Sequence, residues 1–128
     1  MFTDSRSNSR LPIPKYFTGG AFHLVDGERE YHYIRANDVC VSGIGLDVPS
    51  PLECGSQVKV RYTTEGWRSD LDGTVMWCVR SDRVGVSMRA YQNFRVGIRL
   101  NPVNAQANAL LFLTLKDDLQ QPRTEARG

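Results

Sequence analysis

Six residues in two short stretches have the types and spacing of a binding site. Arg6 and Arg10 frame the stretch Arg6-Ser-Asn-Ser-Arg10. Twenty-seven residues separate Arg10 from the next stretch, Asp38-Val-Cys40-Val-Ser42-Gly43. A guanidinium is a planar fork of donors that matches phosphate oxygens and the O6/N7 edge of guanine, whereas a lysine ammonium is only a point charge. The chain is rich in that fork, with 13 arginines against 3 lysines, although a GC-rich genome also produces such a bias. A carboxylate such as Asp38 accepts from N–H donors, a thiol or hydroxyl can do either, and a glycine admits close approach of a ligand to the backbone.

No other reactive constellation is visible. There is no nucleophile–base–acid arrangement, no pair of acids beside a nucleophile and no phosphate-binding P-loop, so no catalytic residue and no enzymatic activity is expected. Cys40, Cys54 and Cys78 are spaced by 14 and 24 residues without a C-x-x-C pair, and neither His23 nor His32 stands near a cysteine, so no metal site is expected. The two histidines read as sheet-face residues. Trp77 reads as core or barrel wall, with the ligand site as its alternative.

The charge is close to balance, 16 basic against 14 acidic residues. That argues against DNA as a partner, because a general nucleic-acid or membrane binder carries a larger basic excess. The longest strongly apolar run, residues 109–113, falls far short of the roughly 20 residues of a membrane helix, so no membrane insertion is expected. The first ten residues contain no apolar stretch of the kind a secretory signal needs. A cytoplasmic location is the resulting expectation.

These residues need elements to hold them. Residues 1–15 read as a flexible arm, with Pro12 and Pro14 and little to bury. Residues 16–120 read as one folded unit, and 121–128 as a polar tail. Strands are expected at 21–25, 30–36, 39–46, 57–63, 71–80, 83–90 and 94–100, with turns at Asp26-Gly27, Glu65-Gly66 and Ser81-Asp82 and a break at Pro49-Ser-Pro51. Gly43 and Gly45 within 39–46 suggest a bulge or a close backbone approach. The segment 57–63 alternates strictly, with Val58, Val60 and Tyr62 on one face. After Asn101 the period changes, and a helix is expected over 102–119 with Asn101 as cap and Pro102 in the first turn. Short antiparallel connections of this kind predict an all-β fold: a six- to seven-stranded antiparallel β-barrel, or a sandwich, with one C-terminal α-helix.

With R-x-x-x-R in the arm and a D-x-S-x-x-G-like stretch after it, the chain resembles the PilZ family. Gly73-Thr-Val-Met-Trp77 and Phe94-Arg-Val-Gly-Ile-Arg-Leu100 are similar to the later strands of that family, so the resemblance covers nearly the whole chain. It implies a six-stranded barrel with a C-terminal helix and a ligand, the bacterial second messenger cyclic di-GMP (c-di-GMP), with no further cofactor. On matching positions, Arg6 and Arg10 would meet phosphates and guanine edges, and Asp38 would accept from guanine N–H groups. Cys40 takes the serine position, Ser42 stands close enough to compensate, and Gly43 lets the backbone approach the ligand. Replacing a hydroxyl by a thiol weakens one hydrogen bond, roughly 0.5–1.5 kcal/mol, or about a two- to twelvefold loss of affinity. A second register, Cys40-x-Ser42-x-x-Gly45, keeps the serine but loses the acid. The function implied is a single-domain c-di-GMP receptor that signals to an as yet unidentified protein effector in motility, biofilm or pilus control. The alternative is a PilZ-like interaction adaptor that does not bind the ligand. Small-nucleic-acid binding on the barrel rests on fold analogy alone.

Overall fold

The structure is a computed structural model that describes residues 10–14, 17, 19–84 and 90–120. Arg6 and the rest of 1–9, the tail 121–128 and the middle of the expected strand 83–90 lie outside the described residues. In chain order the elements are β1 (Leu11–Pro12), β2 (Ala21–Asp26), β3 (Arg29–Cys40), β4 (Gly43–Val48), β5 (Gln57–Thr64), β6 (Trp67–Arg80), β7 (Arg83–Val84), β8 (Ala90–Tyr91), β9 (Phe94–Leu100) and, after a 3-10 turn at Pro102–Asn104, helix α1 (Ala105–Gln120).

The alternation of β5 shows why the sheet curls. Val58, Val60 and Tyr62 are buried, while Gln57, Lys59 and Arg61 face outward. Each neighbouring strand repeats the pattern, so one face of the sheet must close on itself to leave water. Strands β3, β2, β5, β6, β9 and β4 pair antiparallel in that order, and β3 also pairs with β4, which closes a six-stranded barrel. Leu24, Val39, Ile44, Leu46, Val60, Tyr62, Leu71 and Val96 fill its interior with no exposed surface. Two-residue loops join β2 to β3 and β5 to β6. Gly27 (φ 66°) and Gly66 (φ 79°) supply the left-handed backbone those turns require. Helix α1 packs mainly against β6 and buries Asn108, Leu111 and Leu115. The cap is as the sequence predicts, with the Asn101 Oδ1 accepting from the Val103 N–H at 3.0 Å and Pro102 next in line, but it caps the 3-10 turn, and the α-helix expected from 102 begins at Ala105. The Asn108 side chain donates to the Asn101 carbonyl at 3.0 Å and ties the helix to the end of β9.

Four further details differ from the sequence reading. The boundary between the strands expected at 30–36 and 39–46 is displaced. The first runs on to Cys40 within β3, and the chain reverses at Val41-Ser42 into β4. The apolar alternation hides this turn because Val41, at its tip, is an exposed valine. The strand expected over 83–90 is replaced by the short pair β7–β8. The β6 strand begins at Trp67, four residues before the expected start, because it pairs with β5 down to the Gly66 turn. Finally, residues 11–13 of the expected arm are docked. Leu11 and Pro12 pair with Val39 and Asp38, the Ile13 N–H donates to the Asn37 carbonyl at 2.9 Å, and the Ile13 side chain is buried. Proline is tolerated there because β1 is an edge strand.

Candidate functional site

Two bulges shape the outer face of the barrel. In β3, Ala36 pairs with Leu46 and Asp38 with Gly45, so Asn37 is an extra residue. The alternation is reset there: Ala36 and Val39 both point into the core, and Asp38 comes to the outer face. In β6, Val75 pairs with Ile98 and Trp77 with Gly97, so Met76 is extra. Val75 stays buried, while Met76 and Trp77 are both largely exposed.

The two bulges face each other across a floor of glycine. The register places Asp38, Gly45, Gly97 and Trp77 side by side on β3, β4, β9 and β6. Asp38 leans over Gly45, where a Cβ would stand 2.7 Å from its Oδ1, and the Trp77 indole lies over Gly97, where a Cβ would collide with the ring. The result is a shallow groove with a carboxylate on one side and a half-exposed aromatic plane on the other. It is continuous with a cavity of about 320 Å³ lined by Arg10, Asn37, Asp38, Gly45, Trp77 and Arg95. A second cavity of about 250 Å³ shares Arg10 and Trp77 and adds Ser42, Gly43 and Arg99.

The described residues of the expected site converge here. Because β1 pairs along β3, Arg10 reaches across its end. Its Nη2 donates to Asp38 Oδ1 at 3.0 Å and its Nη1 to Cys40 Sγ at 3.6 Å. The hydrogen bond that Arg10 donates to Asp38 favours its charged form, raising the Arg10 pKa further against the opposing effect of partial burial. Cys40 is buried, and its thiol lies 3.4 Å from Ser42 Oγ, so the two candidates for the serine role share one spot. Ser42 lies in the β3–β4 turn rather than within a strand, and its carbonyl accepts from the Leu100 N–H. Gly43 is needed by the fold itself, since a Cβ would stand 2.9 Å from the Ile98 carbonyl oxygen of β9. Arg6 lies outside the described residues.

Sequence reasoning missed the arginines of β9 and the acid that holds one of them. Arg95 and Arg99 flank Gly97 on the outer face. Asp47 is only 5% exposed although it lies on the outer face, because it is covered by its partners. Its Oδ1 accepts from Asn37 Nδ2 at 3.1 Å and from Arg95 Nε at 3.3 Å, and its Oδ2 from Arg35 Nη1 at 3.4 Å. The signal for the Trp77 side was present in the sequence: the alternation Leu71, Gly73, Val75 breaks at Met76-Trp77. Three arginines (10, 95 and 99) against one aspartate (38) line the two cavities and leave the groove doubly positive. Such a surface suits an anion with planar, donor-bearing rings.

Comparison with solved structures finds the same architecture. The PilZ domain of YcgR from Escherichia coli, solved with c-di-GMP, matches with a TM-score of 0.68 and 13% identity, covering 92% of this chain and 94% of that one. MrkH, described as a c-di-GMP-dependent transcription regulatory factor, matches with a TM-score of 0.63 and 12% identity, over 91% of this chain and 52% of MrkH. The chain therefore spans about half the length of MrkH. No protein-family profile matches the sequence, and no curated protein does. This chain has the PilZ-domain fold, as the barrel closure and the helix had indicated. Among the described residues no helix is long and apolar enough to cross a membrane.

Proposed function

We propose that this protein is a c-di-GMP receptor that acts by binding, not by catalysis, and passes the signal to a protein effector. The observation that carries the reading is the Arg10–Asp38 pair on the glycine floor opposite Trp77, on a barrel with the PilZ fold. Each part has a match in the ligand's chemistry. The two phosphodiesters give the ligand a charge that the doubly positive groove complements. Asp38 accepts from guanine N–H groups. Arg10, and Arg6 ahead of it, supply forks for phosphate or the O6/N7 edge. The Trp77 plane offers a stacking face for a purine, and the glycines at 45 and 97 leave room for Asp38 and the indole to lie close over the sheet.

Calorimetric titration with c-di-GMP, with GTP and cyclic AMP as controls, tests this reading. Saturable binding of c-di-GMP alone is expected, with a change in Trp77 emission that persists when Trp67 is replaced by Phe. No binding of c-di-GMP by the wild-type chain would leave the alternative, a PilZ-fold adaptor that works without the ligand.

A further inference from the structure

Arg95 differs from the arginines that the sequence motif points to. Its Nε is held by the buried Asp47, while its side chain is 47% exposed and lines the groove cavity. Among the described residues no group pairs with its two Nη atoms. An arginine fixed at Nε presents the outer edge of its fork in a set direction, so less side-chain entropy is lost when an anion arrives. Asp47 is itself set by the fold: it stands opposite Arg95 in the β4–β9 register and opposite Arg35 in the β3–β4 register, and Asn37 of the bulge completes its shell.

We propose that Arg95 is a ligand-gripping residue of the c-di-GMP groove, taking a phosphodiester oxygen pair through its two Nη atoms, and that Asp47 is its positioning residue. This rests on the receptor reading above and assigns to the site a binding group outside the R-x-x-x-R and D-x-S-x-x-G-like stretches. Arg10 is engaged by Asp38 of β3, and Arg95 stands two residues along β9 from Gly97 with its Nε on Asp47 of β4; both arginines line the same cavity. The ligand would thereby meet one guanidinium from the segment before β1 and a second from β9.

The test is calorimetric titration of the full chain with c-di-GMP at fixed salt. Arg95→Ala is expected to weaken binding by about tenfold or more, because a charge-assisted bidentate contact is lost. Arg95→Lys should restore only part of that, since an ammonium has charge but no fork. Asp47→Asn should weaken binding several-fold in the wild-type background and add nothing in the Arg95→Ala background. That non-additivity is what positioning requires and a general structural role does not produce. If Asp47→Asn melts too low to titrate, the half-exposed Arg95 variants decide alone, with melting temperature as the control for folding. Wild-type binding unaffected by Arg95→Ala would overturn the grip and leave the receptor reading standing. Equal losses from Asp47→Asn in both backgrounds would overturn the positioning. A wild-type chain that does not bind c-di-GMP would overturn both this proposal and the receptor reading.

Discussion

Arg10 donates to a carboxylate and to a thiol at once, and these two contacts rank the residues of the site. The carboxylate contact is charge-assisted and short, the thiol contact long and weak. Hydrogen bonds to charged groups contribute roughly 1.5–3 kcal/mol each. On the proposed receptor reading, part of what Arg10 would give the ligand is offset by loosening its bond to Asp38. Arg10→Ala should therefore weaken c-di-GMP binding by about ten- to a hundredfold. Cys40→Ser should strengthen it by about fivefold at most, since a hydroxyl returns about 1 kcal/mol. Calorimetry on both variants checks the ranking. An Arg10→Ala chain that binds like wild type would remove Arg10 from the site. A wild-type chain that binds only after Cys40→Ser would make the thiol the silencing feature.

At the scale of elements, the helix entry was legible because it depends on neighbours in sequence. A cap needs one oxygen two residues from the N–H it serves, and Asn101 provides it. Asn101→Ala should cost about 1 kcal/mol and lower the melting temperature by about 3–6 °C, as measured by thermal denaturation followed by circular dichroism. No change would mean that the Asn108 bond to the Asn101 backbone carbonyl is enough to hold the helix start. The bulges at Asn37 and Met76 were not legible in the same way. A bulge is a relation between two strands, and the sequence of one strand shows only a broken alternation. The break at Met76-Trp77 was there to be read, but nothing local says that Gly97 lies beneath the indole. The β3–β4 turn was hidden for a related reason: Val41-Ser42 has no glycine, and an exposed valine at its tip imitates a strand.

At the scale of the whole molecule, Asp70, Asp118 and Tyr62 each make stability respond to pH. Burial pushes the Asp70 carboxyl up, but hydrogen bonds from Arg68 and Arg61 outweigh it and hold it below its usual value. The folded state then binds that proton less tightly than the unfolded one. Stability from this group is present above the unfolded pKa and is lost as pH falls through the lower folded value. Asp118 is raised, by burial and then by the charge of Asp117. Ionising it costs the folded state, so Asp118→Asn should raise the melting temperature at neutral pH and give no gain once acid has protonated the carboxyl. Tyr62 is pushed up to about 12, chiefly by burial and then by Asp118. Its folded pKa exceeds the unfolded value near 10, so its contribution is full below about pH 10 and falls as pH rises through about 12. Its hydroxyl has no hydrogen-bond partner among the described residues, so Tyr62→Phe should be neutral or slightly stabilising at pH 7 and should move alkaline unfolding to higher pH. Thermal melts of both variants from acid to alkaline pH check these signs. A Tyr62→Phe chain that melts well below wild type at pH 7 would mean that the hydroxyl has a partner.

Period, turn chemistry and one cap were enough to determine an antiparallel all-β fold, barrel or sandwich, with a terminal helix, because side-chain alternation and turn residues act over a few neighbours. Residue types and spacing were likewise enough to mark Arg10, Asp38, Cys40, Ser42 and Gly43 as belonging together. Only the tertiary structure decided where that group would act. Barrel closure brings β3, β4, β9 and β6 into one outer face, and register aligns Asp38, Gly45, Gly97 and Trp77 on strands far apart in the chain. The same closure buries Asp47 against Arg95, although 47 residues lie between them in sequence. Pairing of that kind follows from how six strands share one closed core, a constraint that no local stretch of sequence carries.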